Sequence, residues 1–349
     1  MSKKLKSQLK PFLADVASHP QFSPEIARRL GDPLFTKELT LTKAGLEKFV
    51  SHPVELLCEI IRTIDPGSRS ALALVFMRGG QLPSPVNMTD DEERAVALLG
   101  GSISIVRGAL NALDGSLILR SIQGGIYSWK FKHPTIRDAF ATVIAEDREL
   151  LDIYLAGAPT DRLFNEVTCG DIGIQGVKVI VPLDRYQLLL DRLENFDVKK
   201  PENERKLHRF LAYRCDREFL TLFIAKFVNF ISTLKVGSYL DSVSDVPVIV
   251  RLHEFALLPE TKRVSVVAII SELAIETPDS GFLNEAVRAL FKHEEYIDVL
   301  NDVRTKLVPG LGSTIKNWRD SYYQSDEDPQ SYFAQLEITL RVRLKNHEC

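Results

Sequence analysis

The spacing of apolar residues predicts a chain built mainly of helices. Near the start, apolar side chains recur at intervals typical of one helix face. They are Leu5, Leu9, Phe12, Leu13 and Val16. Pro24 suits the first turn of a second helix, and Thr42 is an N-cap candidate for another. The turn signal Asp65-Pro66-Gly67 closes this first helical segment.

The apolar pattern changes between residues 67 and 150. The runs SRSALALVFMR, DDEERAVALLG and ISIVRGALNAL predict three helices, and GGQLPSP is interpreted as a break after the first. The runs SLILRS and IYSWKFK have the composition of strands and flank Gly124-Gly125, which predicts a hairpin. HPTIRDAFATVIAED predicts a closing helix. This order is typical of a winged-helix unit, a relative of the helix-turn-helix.

The pattern beyond residue 150 predicts further helices and one strand. VKVIVPL is expected to be a buried strand, and VKKPENERK is interpreted as a polar linker. A long helix is expected from Leu207 to about Leu234. The predicted organisation is a helical segment over residues 1–66, a winged-helix domain over 67–150, a mixed connecting segment over 151–206 and an α-helical domain over 207–349.

Composition and charge narrow the classes of function. A chain of 349 residues with 45% apolar content is long enough for two or three hydrophobic cores. Lysine and arginine number 44 against 47 acidic residues, so no global positive field attracts nucleic acid or an anionic membrane. The 4 cysteines form no CxxC pair, and no run approaches the roughly 18 apolar residues of a membrane span. We expect a cytoplasmic protein without a membrane segment.

The sequence contains no recognised motif for catalysis. A phosphate-binding loop needs glycines followed by a lysine, and the chain has no Gly-Lys dipeptide. The 7 histidines have no metal-ligand spacing, and there is no GxSxG elbow. We therefore predict no catalytic residue and no metal ligand, and we expect that the chain alone is not an enzyme. An enzyme with an unrecognised site stays an alternative.

The segment WKFKHPTIRDAFA resembles part of a known family. A hydrophobic strand leads into a histidine at a helix start, followed by a pattern close to x-x-x-R-D-F. The matching residues are Phe131, His133, Arg137, Asp138 and Phe140. The segment resembles the winged-helix domain of STAND NTPases, signal-transducing ATPases that include plant resistance proteins and bacterial antiphage proteins. HPQFSPEIARRL and FVSHPVELLCEII resemble the helical lid of the novel STAND class, so the likeness spans roughly residues 9–192.

The resemblance implies a switch that ADP holds in its closed state. In that family the winged-helix histidine contacts the β-phosphate of ADP, and His133 occupies its position. Arg137 and Asp138 are supporting candidates. Many members have an acidic residue after the histidine, where this chain has Pro134. The resemblance further implies that an NTPase core, with its ADP or ATP, is supplied upstream or by another protein.

Other interpretations of the same residues stay open. His133 can be a cap or packing residue, because His-Pro is a common helix start. The winged helix can bind DNA through Arg107 and Asn111 on the candidate recognition helix. The acidic segment TDDEER before that helix disfavours phosphate contact, so nucleic acid is the less favoured partner. The chain can also be a helical adaptor, with residues 207–349 as the surface that binds a protein partner.

Overall fold

The computed structural model describes residues 7–36, 39–174, 179–237, 240, 245–277, 279–322, 328–331, 334 and 336–339. Within them the chain is mainly helical, which confirms the predicted fold class at that level. The β-structure is a small antiparallel sheet and a parallel pair of short strands. The chain divides into two compact units, Met1–Phe196 and Asp197–Cys349. The division into four segments stays a prediction.

The first unit begins with short helices that enclose a common core. They are α1 Leu13–Ala17, α2 Pro24–Leu30, α3 Pro33–Thr36, α4 Lys43–Ser51, α5 Pro53–Thr63 and α6 Pro66–Met77. The predicted cap Thr42 is confirmed, since its side chain accepts a hydrogen bond from the Gly45 amide at 3.2 Å. Pro24 lies in the first turn of α2, as predicted, and Ser23 caps that helix by accepting from the Ile26 amide at 3.3 Å. Near the chain start Leu9 and Val16 are buried, whereas Leu5 lies outside the described residues.

The rest of the first unit alternates strands and helices. The elements are β1 Gln81–Ser84, α7 Asp90–Leu98, α8 Ile103–Leu113, β2 Ile118–Gln123, β3 Ile126–Phe131, α9 Pro134–Glu146, α10 Arg148–Gly157, α11 Thr160–Glu166, β4 Val167–Cys169, β5 Val179–Val181 and α12 Tyr186–Glu194. The expected hairpin is confirmed as β2 and β3 around Gly124-Gly125. Within the expected strand VKVIVPL, residues Val179–Val181 form β5, which pairs in parallel with β4.

The segment GGQLPSP was interpreted as a break, and that prediction is wrong for Gln81–Ser84. These residues form β1, which pairs antiparallel with β3 so that Leu82 lies opposite Trp129. The sheet order is β1-β3-β2, which leaves β1 at an edge. An edge strand tolerates Pro83 because one side of it needs no hydrogen-bond donor.

Helix α6 is the centre of the first unit's core. Its Phe76 ring lies 5.4 Å from the ring of Phe140 in α9 and 5.2 Å from that of Tyr154 in α10. Helices α7 and α10 approach so closely that a Cβ atom on Gly157 would lie 2.3 Å from the Cβ of Ala95. The start of α9 is therefore attached to a tightly packed body.

The second unit is helical in its described part. Its helices are α13 Pro201–Tyr213, α14 Arg217–Lys226, α15 Phe230–Thr233, α16 Val246–Glu254, α17 Glu260–Glu276, α18 Glu285–Arg288, α19 His293–Asp302 and α20 Leu311–Tyr322. The predicted linker is wrong from Pro201 onward, because that residue begins α13. The long helix expected from Leu207 is also wrong. It breaks after Tyr213, and Asp216 caps α14 by accepting a hydrogen bond from the Phe219 amide at 2.8 Å.

Among the described residues, no single helix is both long enough and apolar enough to cross a membrane. Helices α7 and α8 reach that length and apolar content only when taken together, and the pair is bent by 72°.

Candidate functional site

His133 is the N-cap residue of α9. Its Nδ1 atom accepts a hydrogen bond from the Thr135 amide at 3.2 Å and lies 2.8 Å from the Thr135 hydroxyl. Since a backbone N–H can only donate, Nδ1 carries the lone pair and the proton of the neutral ring lies on Nε2. The described part of the chain provides no hydrogen-bond partner for Nε2. His133 therefore caps the helix with one nitrogen and leaves the other as a donor.

Helix α2 contacts the start of α9 through Arg29. The Arg29 side chain is almost fully buried, and its Nη2 donates to the hydroxyl of Thr135 at 3.0 Å. Its Nε donates to Glu25 at 3.1 Å, and its guanidinium lies 5.7 Å from the centre of the Phe35 ring. Arg29, in the segment predicted to be a lid, thus contacts Thr135, the hydrogen-bond partner of His133.

Positive charge collects beside this helix start. Arg28 and Lys132 both donate to the carbonyl of Gly115, Arg28 at 2.9 Å. Burial and the neighbouring Arg28 lower the pKa of Lys132. Asp32 and Asp114 act on Lys132 through space, but within the described residues Lys132 forms no ion pair with a carboxylate.

Glu25 is the carboxylate that directly neutralises the two arginines. It accepts hydrogen bonds from Arg28 at 2.9 and 2.8 Å and from Arg29 at 3.1 Å. The hydrogen bonds and charge of Arg28, followed by those of Arg29, lower the pKa of Glu25 to about 2. The three cations Arg28, Arg29 and Lys132 are thus accompanied by three carboxylates: Glu25, which pairs with the arginines and also acts on Lys132 through space, and Asp32 and Asp114.

The supporting candidates Arg137 and Asp138 are not joined to His133. Arg137 forms an ion pair with Glu166, which connects α9 to α11. Burial, followed by the charge of Glu166, raises the pKa of Tyr154. Arg137 and Glu166 therefore serve a contact between helices of the first unit. Asp138 is half-buried, and no described residue donates to its carboxylate.

The candidate DNA readers are engaged in local hydrogen bonds. Arg107 donates to the carbonyl of Val86 at 2.9 Å, and Asn111 donates to the carbonyl of Arg107 at 3.1 Å. The exposed positions of α8 otherwise include Ser104, Ile105, Gly108 and Ala112. This face offers one cationic side chain, which is less than contact with several phosphates requires.

Sequence reasoning did not find the contribution of α2 to this site. The spacing of Glu25 and Arg29 is a visible signal, because such pairs at i and i+4 face each other on a helix. The contact between Arg29 and Thr135 joins residues separated by 106 positions and has no local signal.

Comparisons with known proteins assign no family to this geometry. No protein-family model, no curated protein and no solved structure matches the chain. A role for His133 therefore depends on the chemistry of its own surroundings.

Proposed function

We propose that the first unit contains a winged-helix domain and that the chain is the regulatory segment of a STAND-type nucleotide switch. The order of elements supports this proposal: α6, β1, α7, α8 and then the β2–β3 hairpin, followed by α9. The sheet order β1-β3-β2 joins the first strand to the hairpin. This arrangement agrees with a helix-turn-helix relative that carries a wing.

The observation that carries the functional proposal is the unused Nε2 donor of His133. It lies at the start of a helix of 13 residues, where the helix dipole favours an anion. Because Nδ1 is held by Thr135, the ring presents a donor and not an acceptor at Nε2. We assign this donor to the β-phosphate of ADP, in agreement with the resemblance at residues 131–140.

Two cationic donors near the start of α9 are available to an anionic ligand. Arg28 and Lys132 both donate to the uncharged carbonyl of Gly115. A phosphate oxygen is a stronger acceptor for such donors because the hydrogen bond is then charge-assisted on both sides. ADP in place of inorganic phosphate alone is part of the proposal and follows from the resemblance.

The proposed switch needs partners and a site of action. The NTPase core is supplied upstream or by another protein, and the helical second unit binds a protein that is sensed or signalled to. We place this activity in the cytoplasm, in bacterial antiphage defence. In this scheme the chain alone hydrolyses no ATP.

The test compares variants of His133 in the complex with the NTPase core that the proposal requires, supplied upstream or by another protein. Asparagine is a strong N-cap residue but lacks the imidazole donor, so His133→Asn separates the capping role from the sensor role. We expect roughly tenfold to hundredfold weaker ADP binding for His133→Asn, as for a lost charge-assisted hydrogen bond, together with raised basal signalling.

His52→Ala is the matched control. His52 also precedes a proline at the start of a helix, but its Nδ1 bonds the hydroxyl of Ser51 at 2.8 Å and it makes no cap hydrogen bond. We expect this variant to bind ADP like the wild type. Unchanged ADP affinity in His133→Asn would remove the sensor role and leave His133 as a cap.

A further inference from the structure

The hydrogen bonds around His133 continue to a buried arginine of another helix. Glu25 accepts from Arg29 Nε at 3.1 Å, and Arg29 Nη2 donates to Thr135 Oγ1 at 3.0 Å. The Thr135 hydroxyl lies 2.8 Å from His133 Nδ1. We infer that Arg29 is a positioning residue, which acts through Thr135 to fix the proton of His133 on Nε2. The contacts themselves are present without nucleotide. Only their consequence for ADP binding rests on the proposed function.

The direction of each hydrogen bond follows from what each group can donate. A guanidinium has donors and no acceptor, so Thr135 Oγ1 must accept from Arg29. The Thr135 amide donates to Nδ1, so Nδ1 must be an acceptor. The hydroxyl proton of Thr135 therefore also goes to Nδ1. A hydroxyl that accepts from a cation becomes a stronger donor, which favours the same arrangement.

The Arg29 side chain is held in one position. It is 2% exposed, and Glu25 and the Phe35 ring contact it in addition to Thr135. A buried charge is tolerated only where its donors are used, so this arginine has few alternative arrangements. The contact with Thr135 is therefore a fixed property of α2 in its present position.

The consequence is a link between α2 and the sensor. If α2 leaves the start of α9, Thr135 Oγ1 loses its cationic donor and its hydroxyl can rotate. Of the two Thr135 groups at Nδ1, only the amide then still opposes a proton there, and the rotated hydroxyl can accept from that proton, so the tautomer with an unprotonated Nε2 becomes less disfavoured. The lid position thus determines how well His133 donates to a phosphate.

The test measures which nitrogen of His133 carries the proton, by ¹⁵N NMR of the full chain at a pH where the ring is neutral. His133→Asn identifies the signals of this ring among the 7 histidines. Thr135→Val removes the hydroxyl at nearly constant shape, and Thr135→Ser restores it. Arg29→Met removes the donors, and Arg28→Met is the matched control because Arg28 donates to Gly115 and Glu25 and not to Thr135.

In wild type, Thr135→Ser and Arg28→Met, we expect separate signals typical of an acceptor Nδ1 and a protonated Nε2. In Thr135→Val and Arg29→Met these signals should move towards each other, since both tautomers become populated. Unchanged signals in correctly folded Thr135→Val and Arg29→Met would overturn the inference. In that case the Thr135 amide alone would fix the tautomer.

ADP binding in the complex separates this inference from the proposed function. We expect Arg29→Met to weaken ADP binding by about fivefold to tenfold, less than His133→Asn does, because the donor is misplaced only part of the time. If the NMR signals respond while ADP affinity changes in neither variant, the proposed function is wrong and the positioning role stands. If His133→Asn alone weakens ADP binding and the NMR signals do not respond, the proposed function stands and the positioning role of Arg29 is wrong.

Discussion

The guanidinium of Arg263 in α17 binds the carboxylate of Glu295 in α19 through two hydrogen bonds, at 2.7 Å from Nη1 and 2.8 Å from Nη2. The same guanidinium donates to Glu260 at 2.8 and 2.9 Å and to the carbonyl of Leu290 at 2.7 Å. Only 3% of the Arg263 side chain is exposed. One buried cation therefore connects α17 to α19 within the second unit.

Arg263→Met should destabilise the second unit by about 2 to 4 kcal/mol, because the buried carbonyl of Leu290 and the partly exposed carboxylate of Glu295 lose their donor. Urea unfolding measures this in a Trp129→Phe background, where Trp318 is the remaining tryptophan and lies in the second unit. Lys292→Met is the control, because its ion pair with Glu260 is exposed and should contribute little to stability. Equal losses in the two variants would contradict the role assigned to Arg263.

The low pKa of Glu25 predicts an acid-dependent stability of the first unit. Arg28 and Arg29 lower this pKa from 4.5 to about 2, so the folded state binds the proton less well than the unfolded state. The stabilisation is present above pH 4.5 and is lost as the pH falls towards 2. With allowance for solvent screening it amounts to about 1 to 2 kcal/mol.

Unfolding between pH 5 and pH 2, followed by Trp129 in a Trp318→Phe background, checks this dependence. Glu25→Gln should be less stable than wild type at neutral pH and should lose less stability on acidification. Glu47→Gln removes an exposed carboxylate for which no described residue provides an ion pair, and it should follow the wild type. Parallel pH curves for wild type and Glu25→Gln would show that the ion pair does not contribute.

The capping role of His133 predicts a stability change in the chain alone. His133→Ala should cost about 1 kcal/mol in the first unit, because the Thr135 amide loses its side-chain acceptor. His133→Asn should retain most of that stability, since its side-chain oxygen can accept the same hydrogen bond. Thermal and urea unfolding of both variants measure the difference. An equal loss in both would mean that ring packing, and not the cap, determines the effect.

DNA binding by the first unit should be weak and strongly dependent on salt. Arg107 and Asn111 are bound to backbone carbonyls, and the net charge of −3 provides no attraction at long range. A mobility-shift titration with random-sequence duplexes should show no stable complex at physiological salt. Selection of one sequence that binds at physiological salt, with binding lost in Arg107→Ala, would instead show that the first unit recognises DNA.

Local signals in the sequence predicted much of the secondary structure. Pro24, Thr42 and the Gly124-Gly125 turn act within a few residues, so their effects could be predicted directly. Strand β1 could not, because Pro83 disfavours a strand and the pairing with β3 spans more than 40 residues. Asp216 is a cap that the apolar pattern concealed, since apolar residues continue on both sides of it.

The candidate site shows the same limit. His52-Pro53 and His133-Pro134 are the same dipeptide at a helix start, yet only His133 makes a cap hydrogen bond. The backbone of His133 is extended, with ψ 145°, whereas His52 has ψ 58° and its Nδ1 contacts the hydroxyl of Ser51. The Thr135 hydroxyl is a further contact of the His133 ring. The approach of Arg29 depends on how α2 packs, which no pattern around residue 133 contains.

The close approach of α7 and α10 at Gly157 makes this residue a natural position for a temperature-sensitive allele. A single added methyl group there meets Ala95 and Met77 and forces the two helices apart. It removes no charge and no hydrogen bond at His133. A cell that carries such an allele would lose the protein on warming because the protein unfolds, so genetics could separate the effect of a missing protein from that of a folded protein altered only at His133.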